Sequence, residues 1–285
     1  MKKRVTHLLF IFAAGMATGI LVQRAMPLGL LARGRLHPPS RPPVALPAAA
    51  VGRLRLFLLA GQSNMSGYGE LPRRCAPVPR AYLFGNDYHW RPLREPSDDP
   101  AAQVDAVSRD DFASYSPASD FAAGYLRPGE YLGVIPCARN GASLRAWQRN
   151  LSDTSLYGSL LKRARAASPA GPLRGLLVAQ GEAEASTPDA CRWGDLFTRF
   201  VTDLRRDLGE PQLPVVFAQI GNLDPARFPY AAEVRAQQAG VRLPHCRMVA
   251  TRDLPLWDGL HFTPGASAAL GRRFAAALRD LERSR

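Results

Sequence analysis

The chain has 285 residues, enough for one large domain or two small ones, and its 46% hydrophobic content is ordinary for a globular protein with a core. The formal net charge of +13 has the sign of a nucleic-acid binder but not the distribution. Seven basic residues and no acid fall in residues 1–50, leaving 30 basic against 24 acidic residues elsewhere, and the arginines there form no long run. The charge therefore reads as a solvated surface, with room for an anionic glycan and no nucleic-acid partner.

Lys2-Lys3-Arg4 precede an apolar stretch from Leu8 to Val22, a charged segment followed by a hydrophobic one. That stretch is shorter than the roughly 20 residues that span a bilayer. Gly15 and Ala17 offer a cleavage point after Ala17, but the apolar run continues beyond it. Residues 1–25 are thus read as either a signal peptide or an N-terminal membrane anchor. Both place the remainder outside the cytoplasm, periplasmic or otherwise extracytoplasmic, held at the inner membrane if the segment is uncleaved. Residues 26–50 carry Pro38-Pro39, Pro42-Pro43 and a run of alanines and read as a semi-rigid linker. Residues 51–285 form the expected folded domain.

Within that domain the first expected strand, Leu54–Ala60, breaks into the turn Gly61-Gln62-Ser63-Asn64-Met65. Next comes Glu70–Asp120, rich in Pro, Asp, Ser and Arg and poor in periodicity. It reads as an elaborated loop over the active site, or as a surface insertion without a role. Further apolar runs at Tyr131–Pro136, Leu173–Ala179, Pro214–Ile220 and Arg247–Ala250 lack the alternation of half-exposed strands. Helical periodicity marks Leu156–Ala167, Trp193–Leu208, Tyr230–Val241 and Ala266–Arg283. Strands alternating with helices imply an α/β fold, a central parallel sheet covered on both faces.

In such a sheet, ligands bind beyond the carboxyl ends of the strands. Ser63, Asn140-Gly141, Gln180-Gly181-Glu182 and Asp258-x-x-His261 each follow an expected strand. Singly each is weak; together they assemble the parts of a nucleophilic hydrolase. Ser63 is the candidate nucleophile, His261 the general base, and Asp258 the acid that holds the imidazole tautomer. The Ser63 N–H, the Gly141 N–H and the Gln180 side chain are the candidate oxyanion donors. Trp90 and Trp147 suit either a sugar-stacking surface or the core. Cys75, Cys137, Cys191 and Cys246 match no zinc spacing, and no metal site is expected. In an exported protein they could form up to two disulfides.

The segments LAGQSNMSG, IPCARNGASLRAW, LLVAQGEAEA and DLPLWDGLHFTPGA together resemble the SGNH-type carbohydrate esterases. The nearest group holds sialate O-acetylesterases and acetyl xylan esterases, similar to carbohydrate esterase family 6. The resemblance runs from Leu54 to Leu278. It implies a three-layer α/β/α sandwich of flavodoxin-like form, removal of O-acetyl groups from a carbohydrate, and no metal or organic cofactor. It also implies the roles above for Ser63, His261, Asp258, Gly141 and Gln180. Glu182 matches a glutamate sometimes proposed as the triad acid, and here takes a supporting role. Asn140, also supporting, stands where the family usually has a second glycine. The expected substrate is an acetylated sialic acid, xylan or bacterial polysaccharide. Two other readings stand beside this one: acetyl transfer to a polysaccharide, and a non-catalytic, membrane-tethered glycan-binding protein.

Overall fold

The computed structural model describes residues 41–68, 75–98, 103–105 and 114–284. The expected leader, and the linker up to residue 40, lie outside the described residues. Residues 41–50, at the end of the stretch read as linker, lie against the domain. Ala50 is buried, the Val44 N–H donates to Trp90 O at 2.9 Å, and the Arg41 guanidinium donates to Arg94 O at 2.8 Å and to Pro96 O.

Among the described residues seven strands form one sheet: β1 (Leu54–Gly61), β2 (Ala81–Phe84), β3 (Trp90–Pro92), β4 (Tyr131–Ala138), β5 (Leu173–Ala179), β6 (Val215–Ala218) and β7 (Cys246–Val249). Their order is β3-β2-β4-β1-β5-β6-β7. All neighbours run parallel except the edge strand β3, which pairs antiparallel with β2. Among the described residues the α-helices are α1 (Ser63–Ser66), α2 (Ala118–Tyr125), α3 (Leu156–Ala167), α4 (Trp193–Leu208), α5 (Ala231–Gly240) and α6 (Pro264–Arg283).

The strands are apolar throughout because both faces are covered. Leu54, Leu56, Leu58 and Ala60 of β1 join a cluster with residues of α3, α4 and α5. Phe57 and Leu59, pointing the other way, join Phe121 of α2 and Leu270, Phe274 and Leu278 of α6. This produces the three layers. α4 shows the local logic: Leu196, Phe197, Phe200, Val201 and Leu204 recur at helical spacing and are buried. Each such side chain contributes roughly 1.5–3 kcal/mol. Gly209, in the left-handed region, ends the helix. α6 starts at Pro264, two residues earlier than expected, because the Thr263 side chain caps it by accepting the Ala266 N–H.

The segment Glu70–Asp120 departs from expectation. It supplies β2, β3 and the start of α2, so part of it extends the sheet. Polar side chains order what lies between. Arg163 of α3, wholly buried, donates to Asn86 Oδ1 at 2.5 Å, and Asn86 Nδ2 donates to Asp98 Oδ1 at 2.9 Å. The buried Glu95 carboxylate accepts backbone N–H groups of Ser97, Ser116 and Ser119 at 3.0, 3.1 and 3.0 Å. The remaining parts, 70–74, 99–102 and 106–113, lie outside the described residues. Trp147 is 1% exposed, packs edge-on against Phe200 and belongs to the core, whereas Trp90 is partly buried and lies against Phe84 at the margin of the core. The four cysteines are free thiols.

Candidate active site

Register builds the site. Gly61, the last residue of β1, sits opposite Ala138 of β4 on one side and Ala179 of β5 on the other. The three chains therefore leave the sheet at one level, carrying Ser63, Asn140-Gly141 and Gln180-Gly181. The ladder continues as far as Arg139 N–H to Gly61 O (3.0 Å) and Gln62 N–H to Ala179 O (2.9 Å). Only glycine fits at position 61: φ is +132°, and a Cβ there would lie 2.0 Å from Ala179 O. The chain then turns directly into the single-turn helix α1, with Ser63 first.

The loop after β7 crosses back to meet Ser63. A bridge between Leu256 and Phe262 closes it, with the Trp257 N–H on His261 O at 3.0 Å. His261 Nε2 lies 3.0 Å from Ser63 Oγ, and His261 Nδ1 lies 2.7 Å from Asp258 Oδ2. A proton on Nδ1 faces the carboxylate, which leaves Nε2 to accept from the serine hydroxyl. Ser63 and His261 are 5% and 8% exposed. Burial alone would raise the Asp258 pKa. Hydrogen bonds from the His261 ring, the His261 N–H and the Leu260 N–H outweigh it and hold the carboxyl below its ordinary value.

Asn64, which the sequence reading left without a role, ties the parts together. Its Nδ2 donates to Glu182 Oε1 at 2.6 Å and to Leu260 O at 3.2 Å, while its Oδ1 accepts the Phe262 N–H at 3.0 Å. Glu182 is thus an anchor beneath the histidine loop, and burial pushes its carboxyl above the usual range. Asn140 Oδ1 accepts from Ser66 Oγ at 2.6 Å, fixing the turn after β4 to α1. Gly141 has φ +67° and open space on its side-chain side. Among the described residues the N–H groups of Ser63 and Gly141 donate no backbone hydrogen bond.

Gln180 lies beside the Gly141 turn. Its Nε2 donates to Ala142 O at 2.9 Å and to Glu184 Oε2 at 3.2 Å. Through these contacts the side chain braces the Gly141 turn. Glu184 in turn accepts the Leu144 N–H at 2.5 Å, locking the same turn. Two aromatic rings lie near His261: Trp257, four residues earlier in the same loop, and Tyr68, which only the close approach of segments far apart in sequence reveals.

A hydroxyl, an imidazole and a carboxylate bonded in series can generate an alkoxide-like nucleophile without a metal. No group of His, Cys, Asp or Glu able to hold a metal occurs among the described residues, and none of their helices is long and apolar enough to cross a membrane.

Comparison with known proteins bears on the family and the fold. The family model described as carbohydrate esterase, sialic acid-specific acetylesterase, matches residues 53–280. A probable carbohydrate esterase of Arabidopsis thaliana is 29% identical over 245 residues, covering 78% of this chain and 89% of that protein. An X-ray structure of an Arabidopsis thaliana protein superposes with a TM-score of 0.71 at 28% identity, covering 80% of this chain and 98% of that one. The crystal structure of NanS gives 0.65 at 21% identity, with coverages of 83% and 99%. A carbohydrate acetylesterase from Xanthomonas citri gives 0.60 at 18%, with coverages of 81% and 57%. The last two similarities concern the fold.

Proposed function

The chain belongs to the sialic acid-specific acetylesterase family of carbohydrate esterases, and from that premise we propose that it removes O-acetyl groups from a carbohydrate through an acetyl-enzyme on Ser63. The observation that carries this is the unbroken series Ser63 Oγ, His261 and Asp258, at 3.0 and 2.7 Å. As Ser63 Oγ attacks the acetyl carbon, its proton passes to His261 Nε2. Asp258 keeps the Nδ1 proton in place and stabilises the imidazolium. The Ser63 and Gly141 N–H groups receive the developing oxyanion, each such donor being worth about 2.7–4 kcal/mol. Gln180 and Asn140 hold the Gly141 turn in position. The imidazolium then gives its proton to the departing sugar oxygen. A water, deprotonated by the same nitrogen, releases acetate and restores the serine.

The exported location proposed for this activity rests on Lys2-Lys3-Arg4 and the apolar run Leu8–Val22. A polysaccharide or glycan outside the cytoplasm is then the natural substrate.

The test is acetate release from acetylated sialic acids, xylans and bacterial exopolysaccharides, with the Ser63→Ala protein beside the wild type. Release by the wild type alone is expected. Equal release by both would defeat the assignment of Ser63. Transfer of acetyl to an added glycan, in place of acetate release, would replace hydrolysis by acetyl transfer.

A further inference from the structure

The two nitrogens of His261 are taken by Ser63 and Asp258 in the plane of the ring. Its face is taken by Tyr68. The two rings stack with centroids 4.2 Å apart and planes inclined by 22°. Trp257 presents a second, more distant ring at 6.2 Å and 26°.

We infer that Tyr68 is a positioning residue for the proposed base: its ring fixes the plane of the His261 imidazole, and its π face favours the imidazolium formed at each proton transfer. The inference rests on His261 serving as the base of the proposed reaction.

The backbone dictates this placement. α1 ends at Gly67, whose φ is +103°, and a Cβ there would lie 2.6 Å from Ser114 O and 2.9 Å from Ser116 N. The Ser114 N–H donates to Gly67 O at 3.1 Å. The segment that returns from the long excursion thus packs onto Gly67 and turns residue 68 back over the imidazole. A larger residue at 67 could not make that turn. Tyr68 follows the nucleophile by five positions in the chain, so one short stretch, Ser63 to Tyr68, supplies both the group that loses the proton and the ring that steadies its acceptor.

A cation over an aromatic face is stabilised by about 0.5–2 kcal/mol, whereas the neutral imidazole gains less from the ring's quadrupole. The stack therefore acts differentially, on the charged form that exists in the transition state. Other groups facing His261 set the background. Asp258 adds its carboxylate at Nδ1. Glu182 faces it from the loop after β5 through Asn64, with its carboxyl pushed towards the neutral form by burial. Arg227 stands behind the loop, its guanidinium on Asp258 O at 2.9 Å. None of these depends on Tyr68, so they stay in place when its ring is replaced.

The test measures kcat and KM for aryl acetate hydrolysis against pH in wild type, Tyr68→Phe, Tyr68→Leu and Tyr68→Met. Alongside it, the His261 ring is titrated by NMR in the same four proteins carrying Ser63→Ala, which needs no turnover. Tyr68→Phe keeps the ring and is expected within about twofold of wild type with an unchanged acid limb. Tyr68→Leu and Tyr68→Met are expected to lose about tenfold in kcat with little change in KM. In both, the acid limb and the His261 titration should move to lower pH by about 0.5 to 1. Two aliphatic variants guard against one that folds poorly, and Tyr68 is only half-buried. An unmoved His261 titration in either folded aliphatic variant overturns the inference, whatever happens to kcat. Full activity of Ser63→Ala would instead overturn the underlying esterase reading, and is visible separately in the same assay.

Discussion

Two loops bring a carboxylate towards His261, and they treat it in opposite ways. The loop after β7 offers Asp258, half-buried and met by three donors: His261 Nδ1 at 2.7 Å, the His261 N–H at 2.7 Å and the Leu260 N–H at 2.9 Å. Those donors overcome burial and keep the group ionised. The loop after β5 offers Glu182, which is 4% exposed. One oxygen accepts from Asn64 at 2.6 Å, while Oε2 has no hydrogen-bond partner among the described residues. Burial dominates there and resists ionisation. A carboxylate that steadies an imidazolium must be charged and must touch the ring. Asp258 meets both requirements, and Glu182 is built as an anchor.

The largest expected effects follow from replacing the three polar residues in turn and measuring kcat on an aryl acetate. Asp258→Asn should lower it by about 10⁴-fold, because the imidazole then loses its oriented tautomer and its counter-charge. Asn64→Ala should fall between the extremes. It removes the donor to Glu182 and Leu260 O and the acceptor for the Phe262 N–H, which also costs about 1–3 kcal/mol in urea unfolding. Glu182→Gln keeps an acceptor for Asn64 and should cost less than about tenfold. Equal losses in Asp258→Asn and Glu182→Gln would erase the distinction between the loops.

A smaller effect sharpens the same contrast through pH. The folded pKa of Asp258 lies below its unfolded value, so its contribution to stability is present above about pH 3.9 and is lost as pH falls through the folded value. Asp258→Asn should therefore be less stable than wild type at neutral pH and converge with it in acid. Glu182 is shifted the other way. Its contribution is full below about pH 4.3 and is lost as pH rises through the folded value. Glu182→Gln should accordingly gain on wild type as pH rises. Unfolding temperatures of both variants across the acid-to-neutral range check this, and parallel trends would refute the opposite shifts.

The sequence showed the long elements plainly and the short ones poorly. α3 and α4 have the bounds their periodicity implied, since each carries a full apolar face over three turns or more. β2 is a four-residue strand beside a Gly-Asn-Asp turn, and β3 is shorter still and ends on Pro92. Runs of that length hold no readable period; pairing of β2 with β4, and of β3 with β2, is what makes them strands. Three of the four polar clusters were legible because an open parallel sheet delivers the ends of β1, β4 and β5 to one edge, and the fourth follows β7. What those side chains do to one another was less legible. Gln180 carries an amide in the expected loop, and its contacts with Ala142 O and Glu184 appear only in the fold. Asn64 and Tyr68 sit beside the nucleophile in the chain, but their partners lie nearly two hundred residues away.

The central claim is that Ser63 carries the acetyl group between the two half-reactions. Rapid-quench mass spectrometry during hydrolysis of an activated acetyl ester, followed by peptide mapping, tests it directly. One added acetyl group on the peptide containing Ser63 is expected, accumulating in a burst and absent from Ser63→Ala. Sustained turnover with no acetylation of that peptide, or acetylation at another residue that tracks the rate, would contradict it.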